Sequence, residues 1–189
     1  AQPSTPASYF HLLREHTYTR PRRPLIVFTP KQLLRLKAAC SPVEDFTSGT
    51  FQPVIGETDD AVLASARKQG VDRVLLCSGR VYYDLLAHRT KTGDTSTAIV
   101  RLEQLYPLES SAIAEALAPF SGAELVWVQD EPANQGMWPY LALNLPTDLT
   151  GGVLPTLVSR PEAAAPAVGT AGVHRAQQEE ILRQAFARH

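Results

Sequence analysis

The sequence predicts an α/β domain with a mostly parallel sheet and helices on both faces. Two observations carry this prediction. Short apolar segments alternate with segments of helical pattern from residue 59 onward, the order that builds βαβ units. The strand cores Val74-Leu75-Leu76 and Ile99-Val100 are continuously apolar, as strands covered on both faces are. A third observation points to a place of function. The apolar run Leu125 to Val128 breaks into a segment holding Asp130, Glu131, Asn134, Gln135 and Trp138. Such a break places polar groups at the carboxyl edge of the sheet, where open α/β sheets meet ligands and partner surfaces.

Taken in order, Thr5-Pro6 predicts a helix start, with Thr5 as N-cap and Pro6 at the first helical position, and the helix runs to about Glu15. A strand is expected at Leu25 to Phe28, stopped by Pro30, after a linker in which Arg20, Arg22 and Arg23 alternate with Pro21 and Pro24. Lys31 to Lys37 is read as a short helix. Ser41-Pro42-Val43-Glu44 has the S-x-x-E form of a capping box, and its helix must be brief because Gly49 and Pro53 follow. A helix at Asp59 to Gln69 ends at Gly70. Then come a strand at Arg73 to Cys77, a helix from Gly79 to Thr90, a strand at Thr97 to Arg101 and a helix from Ser110 to Ala118. The strand at Leu125 to Gln129, a helix within Asn134 to Leu143 and a strand at Leu154 to Val158 follow. Residues 160–172 are rich in Ala, Pro and Gly and are read as loop, before a last helix from Gly172 to Ala187.

The 189 residues suit one domain, or one domain with an appended piece. Apolar residues form 44% of the chain, enough for a sizeable core, and a net charge of -1 argues against a nucleic-acid groove or a polybasic membrane patch. No apolar run approaches a membrane span. The first residue is Ala1, without an initiator Met or a signal-peptide pattern, so a fragment or a processed chain is expected. Two cysteines, Cys40 and Cys77, build neither a disulfide framework nor a zinc site, and a reducing cytoplasm fits them.

Ser78-Gly79-Arg80 is a candidate anion or effector contact. Free N–H groups at a helix start attract anions, Gly79 lets a ligand approach the backbone, and Arg80 adds charge. The plainer reading has Ser78 capping the helix and Arg80 solvated. Asp130 and Glu131 are adjacent on an extended segment, so they point to opposite sides and do not converge on one site. Hydrogen bonds to Asn134 and Gln135, or to a partner chain, are the expected use of this pair. Trp138 is either an interface anchor or a core residue. Asp130, Glu131, Asn134, Gln135 and Trp138 together form a candidate interface or cleft. The histidines His11, His16, His88, His174 and His189 lack the spacing of a metal site, and no P-loop, Gly-x-Ser-x-Gly or Gly-x-Gly-x-x-Gly occurs.

The run Val126-Trp127-Val128-Gln129-Asp130-Glu131-Pro132-Ala133-Asn134-Gln135-Gly136-Met137-Trp138 resembles the C-terminal region of the thiamine-diphosphate-dependent 2-oxoglutarate dehydrogenase component. So do Gln2 to Ala7 with Phe10 to Arg14, Arg23 to Lys31, Leu76 to Leu85, Ala98 to Pro107 and Val173-His174-Arg175, six blocks in the order and spacing of that family. The resemblance implies a three-layer transketolase C-terminal-like domain from residue 31 to 189. Residues 1–30 would be the helix and strand that end the preceding pyrimidine-binding domain. It implies thiamine diphosphate and magnesium bound outside this chain, since the Gly-Asp-Gly run, its following Asn and the family's catalytic histidines lie upstream. No catalytic, cofactor-binding or metal residue is therefore assigned here. It further implies a homodimer in the full-length enzyme, a lipoyl-bearing succinyltransferase partner and a bacterial cytoplasmic setting. Some actinobacterial members bind an acetyl-CoA effector through basic residues after the Glu-Gln-Leu-x-Pro block. Here that place reads Leu108-Glu109-Ser110-Ser111, which speaks against such regulation.

Two functions are thus expected. In one the chain is the C-terminal part of the enzyme that decarboxylates 2-oxoglutarate and passes a succinyl group to a lipoyl carrier; it shapes dimer and cleft and is inactive alone. In the other it is a free-standing, non-catalytic α/β module for partner docking or anion binding.

Overall fold

The computed structural model describes residues 1–187, so His189 lies outside the described residues. A five-stranded sheet forms its centre. The strands are β1 (Val54–Ile55), β2 (Arg73–Cys77), β3 (Thr97–Leu102), β4 (Glu124–Pro132) and β5 (Thr156–Arg160), in the order β1-β3-β2-β4-β5. The pairs β3·β2, β2·β4 and β4·β5 are parallel, and only the two-residue edge strand β1 runs antiparallel to its neighbour. The helices are α1 (Pro6–Tyr18), α2 (Glu44–Thr47), α3 (Asp60–Lys68), α4 (Val81–Thr92), α5 (Ser110–Leu117), α6 (Trp138–Asn144) and α7 (Ala171–Ala185).

Alternation along the strands divides the core into two layers. Leu75, Cys77, Ile99, Val126, Val128 and Val158 face α4 and α7, meeting Val81, Leu85, Ile181 and Ala185. Val74, Leu76, Ala98, Val100, Leu102 and Trp127 face α3, α5 and α6, meeting Val62, Ile113 and Leu141. Helices cover both faces, so the continuous apolar strand cores are explained: Val74, Leu75, Leu76, Ile99 and Val100 are each at most 2% exposed.

Several elements differ from expectation. Leu25 to Phe28 is not a strand. It pairs instead with Ala1, which accepts from the Phe28 N–H at 2.9 Å and donates its amino group to the Ile26 carbonyl at 2.9 Å. Lys31 to Lys37 forms two 3-10 turns, Lys31–Arg35 and Lys37–Ala39, rather than one helix. The Ser41 capping box does not form. Ser41 Oγ instead accepts from Ala7 N–H at 3.1 Å, and α2 starts at Glu44. The strand expected at Leu154 to Val158 is displaced to β5, because Pro155 cannot donate to a ladder. The helices expected from Gly79 and Asn134 start late, at Val81 and Trp138, since Gly79 (φ 64°) and Gly136 (φ 68°) are left-handed. Other bounds move little: Asp59 caps α3, α1 runs three residues past Glu15, and Gly93 (φ 68°) closes α4 two residues past Thr90.

Two buried arginines inside the fold are paired with carboxylates. The Arg89 guanidinium meets the Glu57 carboxylate, with side chains 3% and 2% exposed, and Glu57 Oε2 also accepts from Ile99 N–H at 2.8 Å. Glu57 thereby ties α4 to the outer edge of β3. Arg73 is likewise held by Glu124 and by the carbonyls of Gln184 and Ala185 at the end of α7.

Candidate functional site

The chain leaves β2 through α4 toward β3, and leaves β4 through α6 toward β5 on the other side. The directions diverge between the carboxyl ends of β2 and β4, which is the switch point where open α/β sheets place their ligands. Both candidate segments of the sequence converge there. Arg80, just after β2, lies with Nη1 2.6 Å from Asp84 Oδ2 and 3.3 Å from Asp130 Oδ2 at the end of β4, and its Nε reaches the Gln32 side chain. Gln178 of α7 also donates to Asp84 Oδ2 at 2.9 Å. Burial pushes the Asp84 carboxyl above its ordinary range, with the Arg80 charge acting against it, and burial pushes Glu131 up as well. Arg80 is therefore not a solvated cation. Its charge is shared by two carboxylates.

The mouth of this switch point is covered by the N-terminal segment. Gln2 N–H donates to the Glu103 carbonyl at 2.8 Å, and Ser78 Oγ donates to Gln2 Oε1 at 2.8 Å. A Cβ at Gly79 would stand 2.5 Å from Gln2 Nε2, so the close approach that Gly79 permits is used by the chain itself. Ser78 does not cap α4, whose N-cap is Arg80 without a side-chain bond. One turn further, the fully buried Glu103 accepts from Ser4 N–H at 2.7 Å, Ser4 Oγ at 2.5 Å and Ser8 Oγ at 2.6 Å, while Tyr83 Oη donates to the Ser4 carbonyl at 2.7 Å. What remains open is a cleft of about 490 Å³, lined by Leu25, Ile26, Phe28, Tyr106, Gln129 and Met137 among others.

The segment after β4 is organised by Gln129, 3% exposed, which the sequence reading passed over. Its Oε1 accepts from Trp127 Nε1 at 2.9 Å and from Trp138 N–H at 3.0 Å; its Nε2 donates to the carbonyls of Pro132 and Gln135 at 2.9 and 2.8 Å. Gly136 is required beside it, because a Cβ there would lie 3.0 Å from both the Gln129 amide and Glu131 Cβ. The expected bonds from Asp130 and Glu131 to Asn134 and Gln135 do not form. Asn134 and Gln135 both donate to the Ala163 carbonyl, at 3.1 and 2.8 Å, and fix the loop after β5. Glu131, Gly136 and Met137 face the cleft, and Trp138 is half-buried against the α3–α5–α6 layer. Arg160 was also missed. It is 5% exposed and donates to the Asp130 carbonyl, to Gln177 and to Gln178, locking α7 onto β4. A polar residue closing an apolar strand, as Gln129 and Arg160 do, is the one sequence signal that would have found them.

The donor chemistry of this site does not suit a diphosphate held through a metal. Among the described residues no three His, Cys, Asp or Glu side chains are placed to hold an ion. The Arg80 cation at the switch point is already shared between carboxylates.

The family model described as 2-oxoglutarate dehydrogenase C-terminal matches residues 40–186. The chain belongs to this family. Similar relatives carry the match through the N-terminal segment as well. The "Multifunctional 2-oxoglutarate metabolism enzyme" of Mycobacterium sp. (strain JLS) is 46% identical over 99% of this chain. The "2-oxoglutarate dehydrogenase E1/E2 component" of Corynebacterium glutamicum is 45% identical over 98%, and the "2-oxoglutarate dehydrogenase E1 component" of Cupriavidus necator is 44% identical over 99%. The chain spans 15% of the length of the first two and 19% of the third. A solved structure, "Split gene transketolase, inactive beta4 tetramer", superposes with a TM-score of 0.57 at 10% identity, over 97% of this chain and 54% of that one, which shows a shared fold. The 2-oxoglutarate dehydrogenase C-terminal domain is thus a transketolase-like α/β unit.

Proposed function

We propose that the chain is the C-terminal part of a bacterial, cytoplasmic 2-oxoglutarate dehydrogenase decarboxylating component, and that it shapes cleft and dimer surfaces without supplying catalytic groups. The observation that carries this is the covered switch point. The position where an open α/β sheet takes its ligand is partly covered by Gln2 over Gly79, and Arg80 is neutralised by Asp84 and Asp130. A segment held by Glu103, Ser4 and Ser8 is suited to joining this domain rigidly to whatever precedes it. Residues 1–30 would then end the preceding pyrimidine-binding domain, and 31–189 would form the C-terminal one. In that reading thiamine diphosphate and magnesium bind to other parts of the polypeptide, where the cofactor supplies the carbanion chemistry. No step is assigned to residues of this chain. A homodimer and a lipoyl-bearing succinyltransferase complete the proposed assembly.

The test is the coding sequence upstream of Ala1. A reading frame that continues into a Gly-Asp-Gly run followed at a distance by Asn supports the proposal. A frame that begins at this domain favours a free-standing module instead.

A further inference from the structure

A second cavity, of about 340 Å³, lies away from the switch point, between the first turn of α1, α2 with the loop that follows it, and the end of β3. Thr5, Ser8, His11, Ser48, Thr50 and Arg101 line it, giving a wall of hydroxyls around a buried imidazole and a buried guanidinium. His11 is 5% exposed and Arg101 is 7% exposed. His11 Nε2 donates to the Asp45 carbonyl at 2.6 Å, which leaves Nδ1 without a partner. Arg101 stacks over the Tyr82 ring at 4.0 Å and donates from Nη1 to Ser4 Oγ at 2.9 Å. Its Nε has no partner. Among the described residues no carboxylate lies within ion-pair distance of this guanidinium; Glu103 is reached only through the Ser4 hydroxyl.

A buried guanidinium with unused N–H groups and no direct counter-charge is unfavourable unless something completes it. Other buried arginines of this fold are completed, Arg89 and Arg73 each by a carboxylate, and Arg160 by the Asp130 carbonyl and the Gln177 and Gln178 side chains, which take up N–H groups from Nε, Nη1 and Nη2. Arg101 departs from it, beside a cavity large enough for a small molecule. The first-turn N–H groups of α1 are not the attraction, because Ala7 and Ser8 N–H are bonded to Ser41 and Thr5. The one acid on the lining, Asp45, is exposed and offers its carbonyl inward to His11.

We propose that this cavity binds a small oxyanion, a phosphate or a carboxylate, with Arg101 and His11 as its two buried partners. Arg101 supplies the charge and a planar N–H fork suited to oxyanions. His11 Nδ1 accepts from an O–H of the anion when the ring is neutral, or donates to it when the ring is charged. Thr5 and Thr50 supply the remaining hydroxyl donors, since the Ser8 and Ser48 hydroxyls already donate to Glu103 and to the Glu44 carbonyl. The inference does not rest on the enzymatic reading of the chain and stands or falls separately from it.

Calorimetric titration of the protein, its fold checked by circular dichroism, tests this with inorganic phosphate and with succinate in a buffer free of both. One saturable site per chain is expected for at least one of them. Saturation by phosphate alone assigns a phosphate group, and saturation by succinate alone assigns a carboxylate. His11→Gln keeps a donor near the Nε2 position and removes Nδ1. Arg101→Met keeps length over Tyr82 and removes the charge. Each should weaken binding tenfold or more with the thermal midpoint largely retained. Absence of saturable binding by either anion, or equal binding in both variants, would overturn the proposal. If Arg101→Met does not fold, His11→Gln decides alone.

Discussion

The side-chain amide of Gln2 rests against the α-carbon of Gly79, at a distance that leaves no room for a Cβ. This contact links the start of the chain to the switch point of the sheet, 77 positions away by subtraction of the residue numbers. Gly79→Ala should therefore be destabilising for two reasons, the left-handed φ and the displaced Gln2 side chain. A loss of about 1–3 kcal/mol is expected from the denaturant midpoint. Shortening the neighbour as well, in Gly79→Ala with Gln2→Ala, should recover the steric part and leave the backbone part.

Glu103 is the anchor of the same segment. Glu103→Ala leaves Ser4 N–H and the Ser4 and Ser8 hydroxyls without their acceptor, and leaving buried donors unsatisfied costs about 1–3 kcal/mol each. The N-terminal segment should loosen before the sheet does. Limited trypsin digestion should then cut faster after Arg22, the linker arginine not followed by proline, while fragments containing β2 to β5 persist.

The sheet and most helices were legible in the sequence because local pattern and burial agree there. The cores of β2, β3 and β4 are continuously apolar and lie covered on both faces, and Asp59 and Gly70 mark the ends of α3 by their own conformational chemistry. Leu25 to Phe28 has equal apolar character but no neighbouring strand, so pattern alone misassigned it; Ile26 is 70% exposed. β1, two residues long, carries no periodic signal. The candidate site was half legible. The loop after β2 and the segment after β4 were identified, but their convergence through Arg80 and Asp130 depends on strand order, which no local pattern reports. Gln129 and Gln2 were missed because their roles are contacts made across the fold.

The two cysteines should behave differently. Burial pushes the Cys77 thiol up to about 12, and Cys40 is exposed. At pH 8 a thiol reagent should label one cysteine per native chain and two after denaturation. Linkage gives the sign of the stability effect. Above the ordinary thiol range the unfolded state loses the Cys77 proton while the folded state keeps it, so this group lowers stability as pH rises from about 9 toward 12. Cys77→Ser should remove that part of the alkaline slope.

Trp127 is 1% exposed and Trp138 is half-buried, so quenchable tryptophan fluorescence reports Trp138. The chain by itself also exposes Ile26, Phe28, Leu34, Tyr106 and Leu143. Exposed apolar groups promote association. Sedimentation should show association of the 189-residue chain that falls when the preceding part of the polypeptide is joined, with Trp138 becoming better shielded from acrylamide. A monomer over a wide concentration range, with Trp138 equally quenched in both, would assign that tryptophan to packing alone.

The most direct test of the architectural role is an activity assay on the chain by itself, supplied with thiamine diphosphate, magnesium and 2-oxoglutarate. Carbon dioxide release should equal the enzyme-free blank, because Gln2 covers Gly79 at the switch point and no metal-holding group of side chains exists among the described residues. Release above that blank, proportional to the concentration of the chain, would contradict the account and place catalytic groups within these residues.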